Sequence, residues 1–501
     1  MNSKNGWRQL NIRIFRTLAG WMLPAALILS ACAPAAQAPP GAADQPTAVP
    51  TPAVSPTPIP ERPAYEPGEL VEYTAQTGDT LPNLASRFNT EIEDIRAENP
   101  IIPNDATTLP PGLPMQIPIY YESLWGSAFQ ILPNAAFVNG PAQRGFDPER
   151  YVSSQIGWFS SYTQYAAERT RTGAEIVRYI SDRYSISPRL LLAVLEYQLE
   201  ALSNPVPPGD LDAYPLGYRE RGYHGLYIQL IWTANTLNQG YYSYLQGTLD
   251  TIELADGTIE HPDPWQNAGT VALQYYFSRI LPVEDYREAV GPNGFYRTYR
   301  GLFSDPWDLQ THIPGSLRQP EMSLPFEKNK TWALTGGPHT GWGKGQPWAA
   351  LDFAPPSAAG GCARSNDWAV AVAPGLIARS EEGLVELDLD GDGDPRTGWV
   401  VLYLHVGNQG RIEEGTRVER GDPIGHPSCE GGESTGSHIH IARKYNGEWI
   451  TADSVIPFNL GGWIAQAGNE EYQGTLTRFT ESVTASVDAE EKSILPANTL
   501  P

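Results

Sequence analysis

Basic side chains are scarce in this 501-residue chain: 34 lysines and arginines stand against 57 aspartates and glutamates, a formal net charge of −23 with histidines neutral. A nucleic-acid surface needs a basic patch that can displace counterions, so this balance argues against DNA or RNA as a partner. It argues equally against adhesion to an anionic polymer by charge alone. Long apolar runs are also rare: beyond Leu18 to Leu29, nothing is long and apolar enough to span a bilayer. Cysteine occurs only three times and histidine eight times, yet five of those histidines (His339, His405, His426, His438 and His440) fall between positions 336 and 442.

What is abundant is proline and glycine, 46 and 48 residues, which suits a loop-rich globular protein with linker. The length predicts several domains rather than one core. At the start, Lys4, Arg8, Arg13 and Arg16 precede the apolar run, the pattern of an export signal over residues 1–31. Its end, Leu29-Ser30-Ala31-Cys32, resembles a bacterial lipobox. That resemblance implies lipidation of Cys32 and a protein held at the outer face of a bacterial membrane, since more than one acyl chain gives durable anchoring. The alternatives are an ordinary cleaved signal or a single membrane anchor. Loss of residues 1–31 leaves 30 basic and 57 acidic residues, a charge of −27. Residues 32–69, rich in Pro, Ala and Thr with few apolar residues, cannot bury a core and read as an extended spacer.

Residues 70–121 show a strand, a Gly-Asp turn, two short helices and a closing strand. Tyr73 to Leu81, Leu84 to Phe88, Asn99-Pro100 and Leu109 to Pro118 together resemble a LysM domain. The resemblance implies a βααβ fold that binds N-acetylglucosamine-containing glycan between two junctions, first strand to first helix and second helix to second strand. Gly78, Asp79, Thr80, Leu81, Asn99, Pro100 and Ile101 would then lie along the groove. Read without it, Asp79 and Thr80 serve equally well as a helix cap.

Residues 122–323 carry apolar residues at helical spacing over 173–183, 188–202, 226–237 and 267–280, which predicts an α-helical domain. Ile186 to Leu195 faintly resembles the start of the catalytic helix of lytic transglycosylases. Those enzymes need a carboxylic acid to protonate the glycosidic oxygen. Gln198 stands at that position, with Glu196 and Glu200 flanking it, so the domain is expected to be non-catalytic and at most glycan-binding, the alternatives being an independent fold and an active but shifted glycosidase.

Residues 324–460 hold the chemistry. Strands broken by Gly and Pro turns are read over 368–377, 384–389, 399–405, 417–424 and 438–445, a mainly antiparallel β-domain. In His438-Ile439-His440, strand alternation sends both imidazoles to one face. A catalytic zinc takes three nitrogen or oxygen ligands and keeps one position open, so further ligands must come from elsewhere, with His339 and Asp352 the candidates. Gly336-Gly337-Pro338-His339 ahead of Asp352, with Cys429 to His440, resembles the beta-lytic branch of the lysostaphin-like zinc endopeptidases that cut peptidoglycan. Trp348, four before Asp352, excludes the His-x-x-x-Asp pattern of the wider family. The resemblance implies that His339, Asp352 and His440 bind one zinc ion and that His405 and His438 are catalytic non-ligands. Cys362 and Cys429 then form either a disulfide between active-site loops or two buried thiols. Asp388, Asp390 and Asp392 resemble the start of a calcium loop, but Trp399 stands where its last ligand would be, so a solvated acidic turn is favoured over calcium. Residues 461–501 read as a polar tail without identifiable chemistry.

The whole is expected to be a multidomain α+β, membrane-anchored zinc metalloendopeptidase acting on peptidoglycan stems or cross-bridges. The rival readings are an inactive wall-binding lipoprotein that activates another hydrolase, and a purely structural wall-binding lipoprotein.

Overall fold

Alternation of apolar residues along a strand gives a sheet two separate faces, and here both are buried. In a computed structural model of the chain, described for residues 62–120, 122–309, 312–356 and 360–497, the central sheet runs in the order Arg417–Val418, Gly375–Glu381, Leu384–Asp388, Trp399–Leu404, Ile439–Tyr445, Trp348–Ala354, Ala333–Thr340. Every pairing along this path is antiparallel. One face carries Leu351, Phe353, Val385, Leu387, Val401, Tyr403, Ile439 and Ile441 into a core of its own. The other, with Ala350, Leu384, Leu402, Leu404 and Ala442, packs into the core of the helical domain. That explains the unbroken apolar run Val400 to Leu404, which has no solvent side to make polar.

The helical domain is built from Gly173–Tyr184, Pro188–Leu199, Leu226–Leu245 and Ala268–Ser278 among shorter pieces. Thr172 opens the first with a capping box to Glu175, and Ser187 caps the second ahead of Pro188, which suits the first helical turn. Its junction with the sheet is ionic as well as apolar. Arg183 and Arg171, both buried, reach Glu381 and Glu382 in the turn between two strands, and Arg379 joins Asp182 of the helical domain to the buried Glu386.

The LysM-like unit has the expected order: strand Glu69–Thr74, helices Leu81–Arg87 and Ile92–Glu98, strand Pro114–Ile119. Thr80 accepts the Asn83 N–H and caps the first helix. Asp79 is turned inward, accepting from the Tyr73 hydroxyl and pairing with Arg87.

The tail differs from expectation. Residues 461–497 are not an inert extension, because Trp463–Ala467, Gly474–Arg478 and Glu481–Thr484 complete a four-stranded antiparallel sheet with Asn459–Leu460. Alternation again explains it: Trp463, Ala465, Leu476 and Val483 enter the core on the first face of the central sheet while the threonines and charges between them face out. Residues 1–61, including the expected export signal, Cys32 and most of the expected spacer, lie outside the described residues. Among the described residues no helix is long and apolar enough to cross a membrane.

Candidate metal centre

Three neighbouring strands bring the ligand candidates together. His440 on Ile439–Tyr445 is the cross-strand partner of Asp352 on Trp348–Ala354, and Asp352 is in turn opposite Gly336. The next strand, Ala333–Thr340, shifts register between Gly336 and His339. Such a bulge re-aims a side chain, and here it brings His339 to the same point. His339 Nε2 lies 3.0 Å from His440 Nδ1, and each is 3.3 Å from Asp352 Oδ1.

Hydrogen bonds fix which nitrogens are free. A carbonyl can only accept, so His339 Nδ1–H donates to Gly337 O at 2.8 Å and His440 Nε2–H to Gly341 O at 3.1 Å. The opposite nitrogen of each ring therefore offers its lone pair to the shared point. Asp352 Oδ1 is buried there without a hydrogen-bond donor. Two lone pairs and a carboxylate oxygen converging in a buried place repel one another unless a proton or a cation joins them, and the donor set of two imidazoles and a carboxylate suits zinc. Burial opposes charge on His339, but the Asp352 carboxylate outweighs it and raises that imidazole's pKa. Burial likewise works against the Asp352 carboxylate, but His339 and His438 hold it well below the usual range.

The other two histidines sit beside this cluster, His438 bridged to Ser428 just ahead of the strand Ile439–Tyr445 and His405 on unusual backbone. His405 follows the strand Trp399–Leu404 with φ +65°, a left-handed conformation unusual outside glycine. Its Nδ1–H donates to Glu430 O at 2.9 Å, and its ring centroid is 4.5 Å from that of His438. Burial first, then the neighbouring His438 and His440, push its pKa down to about 3, so it is neutral at ordinary pH. His438 Nδ1–H donates to Gly436 O at 2.8 Å, leaving Nε2 3.6 Å from Asp352 Oδ1. Both thus present an Nε2 lone pair able to accept a proton.

Cys362 and Cys429 form a disulfide, as the first of the two alternatives had it. It ties the loop before His438 to the loop around 360–365, where Ser437 also bonds to Gly361 O and Ala363 O. His426, the fifth histidine of the segment, lies tilted against Trp368 and donates to Asp367 O away from the cluster.

The cluster opens into a cleft of about 1250 Å³ whose far wall comes from the helical domain, through Tyr184, Tyr223, Ile228, Ile231 and Asn235. Sequence reasoning missed that wall, and it missed Tyr472. This tail residue stacks on His339 at 4.2 Å and is held by Gly337 N–H donating to Tyr472 O. Only a hairpin reading of the alternating stretch after Gly474 could have drawn the tail towards the site.

Other candidates fall elsewhere. Gln198 accepts from the Tyr276 hydroxyl and donates to Leu216 O, Glu196 accepts from Leu202 and Ser203 N–H, and Glu200 from Asn204. All three are occupied in local structure. Asp388, Asp390 and Asp392 approach one another closely enough to share an ion, but their oxygens are taken by protein donors. Asp388 accepts from Asp390 and Gly393 N–H, Asp390 from Asp392 N–H, and Asp392 pairs with Arg144 and Thr397. Burial raises the Asp388 carboxyl to about 6, and calcium is not supported. In the LysM-like unit Asp79, Leu81 and Asn99 are buried, whereas Pro100 and Ile101 are exposed.

Residues 73–118 match the family described as LysM domain, and residues 130–316 the family described as LasA, N-terminal domain. Protease LasA of Pseudomonas aeruginosa is 23% identical over 372 residues, covering 68% of this chain and 79% of that protein. The beta-lytic metalloendopeptidase of Lysobacter enzymogenes is 28% identical over 167 residues, 32% of this chain and 86% of the relative. Among solved structures, the deep-sea M23 metalloprotease pseudoalterin is 24% identical, covering 33% of this chain and 96% of its own, with a TM-score of 0.29.

Proposed function

From the premise that this chain is a lysostaphin-like M23 metallopeptidase with a LysM domain, we propose that it is a zinc endopeptidase that hydrolyses peptide bonds in bacterial peptidoglycan. The observation that carries the reading is the convergence of His339 Nε2, Asp352 Oδ1 and His440 Nδ1 around one buried point, with Asp352 Oδ1 lacking any donor. Zinc held by these three atoms would polarise the scissile carbonyl and make a water acidic enough to lose its proton near neutral pH.

The remaining steps fall to the protein. Gly337 O and Gly341 O hold the two ligand rings in the tautomers that leave Nε2 of His339 and Nδ1 of His440 bare. One of His405 and His438, each with its Nε2 turned away from its own Nδ1–H bond, takes the proton from water, and the imidazolium so formed returns it to the leaving amine. Glu430 O and Gly436 O keep both rings aimed by holding their Nδ1 protons. Tyr472 covers one face of His339 and limits its rotation.

The LysM domain supplies attachment to the glycan, which positions the peptide stems near the cleft. The export signal and the Leu29 to Cys32 lipobox would place the protein at the outer membrane face, tethered through Cys32 and spaced by residues 33–69. An inactive activator would not need the full set of five histidine and aspartate side chains. The test is digestion of purified peptidoglycan with and without a chelator, products identified by mass. New amino groups released only without chelator support the reading; intact sacculi under both conditions, with zinc bound, would refute it.

A further inference from the structure

The two junctions at which a LysM domain would hold glycan are, in this fold, bridged by a segment of the chain itself. Residues 312–317 run across them. At the first junction, the Thr77 hydroxyl accepts from Ile313 N–H at 2.9 Å and contacts Ile313 O at 3.2 Å. At the second, the Thr108 hydroxyl donates to Pro314 O at 2.7 Å and lies 2.9 Å from Leu317 N, Thr108 O accepts from Ser316 N–H at 2.8 Å, and Thr107 donates to Leu317 O at 2.6 Å. The fit is close: a Cβ on Gly315 would come within 2.7 Å of Pro110 Cα.

Against the helical domain the unit is fastened by the buried Arg87, whose guanidinium donates to Pro264 O and Gln266 O, and by Asn83 to Tyr244 O. Against the strap, three threonine side chains and one carbonyl meet peptide N–H and C=O groups, with one further, longer contact from the Thr77 hydroxyl to His312 Nδ1 at 3.5 Å. An N-acetyl sugar carries the same pair in its acetamido group, so the strap offers these threonines what such a glycan would offer. Hydrogen bonds of this kind exchange readily for equivalent ones, because the net gain of each is small.

The strap also reaches the peptidase. His312 Nε2 is 2.7 Å from Glu448 Oε2, which also accepts from Tyr241, and Asn446 donates to His312 O. Asn446 lies in, and Glu448 directly follows, the turn that closes the hairpin bearing His440. We propose that residues 312–317 are an intramolecular ligand of the LysM domain and that N-acetylated glycan competes with them for Thr77, Thr107 and Thr108. This rests on the glycan-binding reading above. Wall engagement would release the strap, leaving LysM attached to the helical domain through Arg87.

The test uses the full chain and the hexamer of N-acetylglucosamine as probe. Hydrogen exchange of the unaltered protein should show faster exchange at the Ile313, Ser316 and Leu317 amides when the hexamer is added. Gly315→Ala, which pushes the strap off Pro110, should bind the hexamer about tenfold more tightly by calorimetry. Hexamer binding with those three amides still protected, or with equal affinity in both proteins, would overturn the competition while leaving glycan binding intact. No binding by either protein would overturn the glycan reading and the competition with it. The exchange experiment needs no variant, so it decides the matter even if Gly315→Ala folds poorly.

Discussion

Replacing Cys362 and Cys429 together by serine separates two things that the fold keeps on different supports. The bridge closes a loop between residues 67 apart in sequence. On the chain-entropy account, a loop of that length restricts the unfolded state by about 4 kcal/mol, with measured values nearer 2–4 kcal/mol. The proposed metal ligands stand on hydrogen-bonded strands and do not depend on the bridge. His405 does, because the carbonyl that orients it belongs to Glu430, the neighbour of Cys429. Urea unfolding followed at a probe in the peptidase domain should therefore show a loss of about 2–4 kcal/mol. Zinc content by elemental analysis should remain one per chain, while turnover of peptidoglycan falls by up to about a hundredfold, the lower range of what a positioned acid–base group contributes. Loss of zinc along with stability, or full turnover by the destabilised protein, would refute this division between strands and loops.

Other perturbations follow from the same contacts. Gly336→Ala places a Cβ 2.6 Å from Asp352 Oδ2 and should reduce zinc affinity by tenfold or more in a chelator competition, with little change in the far-ultraviolet spectrum. His440→Ala should lose both zinc and activity, whereas His405→Ala should keep zinc and lose activity; retained cleavage by either would contradict the roles assigned. Glu386 is buried; that burial raises its pKa, but Lys444 at 2.6 Å and Arg379 outweigh it and leave it lowered. Its contribution is present above the usual carboxylate value near 4.5 and is lost as pH falls below it. Thermal melts should show Glu386→Gln destabilised at pH 7 by about 3–5 kcal/mol, the cost of unpairing a buried charge, with the gap to the parent narrowing only as pH falls below about 4.5. Arg87→Met should loosen the LysM unit, seen as faster proteolysis near residue 120, while leaving zinc bound.

Much of this architecture is legible in the sequence because it rests on short-range periodicity. The helices at 173–184, 188–199 and 268–278, and the strands at 384–388, 399–404 and 439–445, agree with the apolar spacing to within a few residues. The His438-Ile439-His440 alternation placed Ile439 in one core and His440 in the cleft, as strand geometry requires. The long helix Leu226–Leu245 ran past its reading because Tyr241, Tyr242 and Tyr244 are buried against the LysM and peptidase units. A tyrosine's exposure depends on partners that only tertiary packing supplies. Tyr472 escaped for the same reason: its ring acquires meaning from His339, more than a hundred residues earlier in the chain. Asp79 also could not be judged locally, since the arginine that draws it inward is itself held by Pro264 and Gln266.

The cross-strand pairing of His440 with Asp352 has a consequence for how the sheet assembles. A slip of one residue between these strands would turn both imidazoles away and bring Ile439 or Ile441 to face the carboxylate. Only the native alignment can then chelate an ion, so metal capture would favour correctly zipped sheets over misaligned ones during folding.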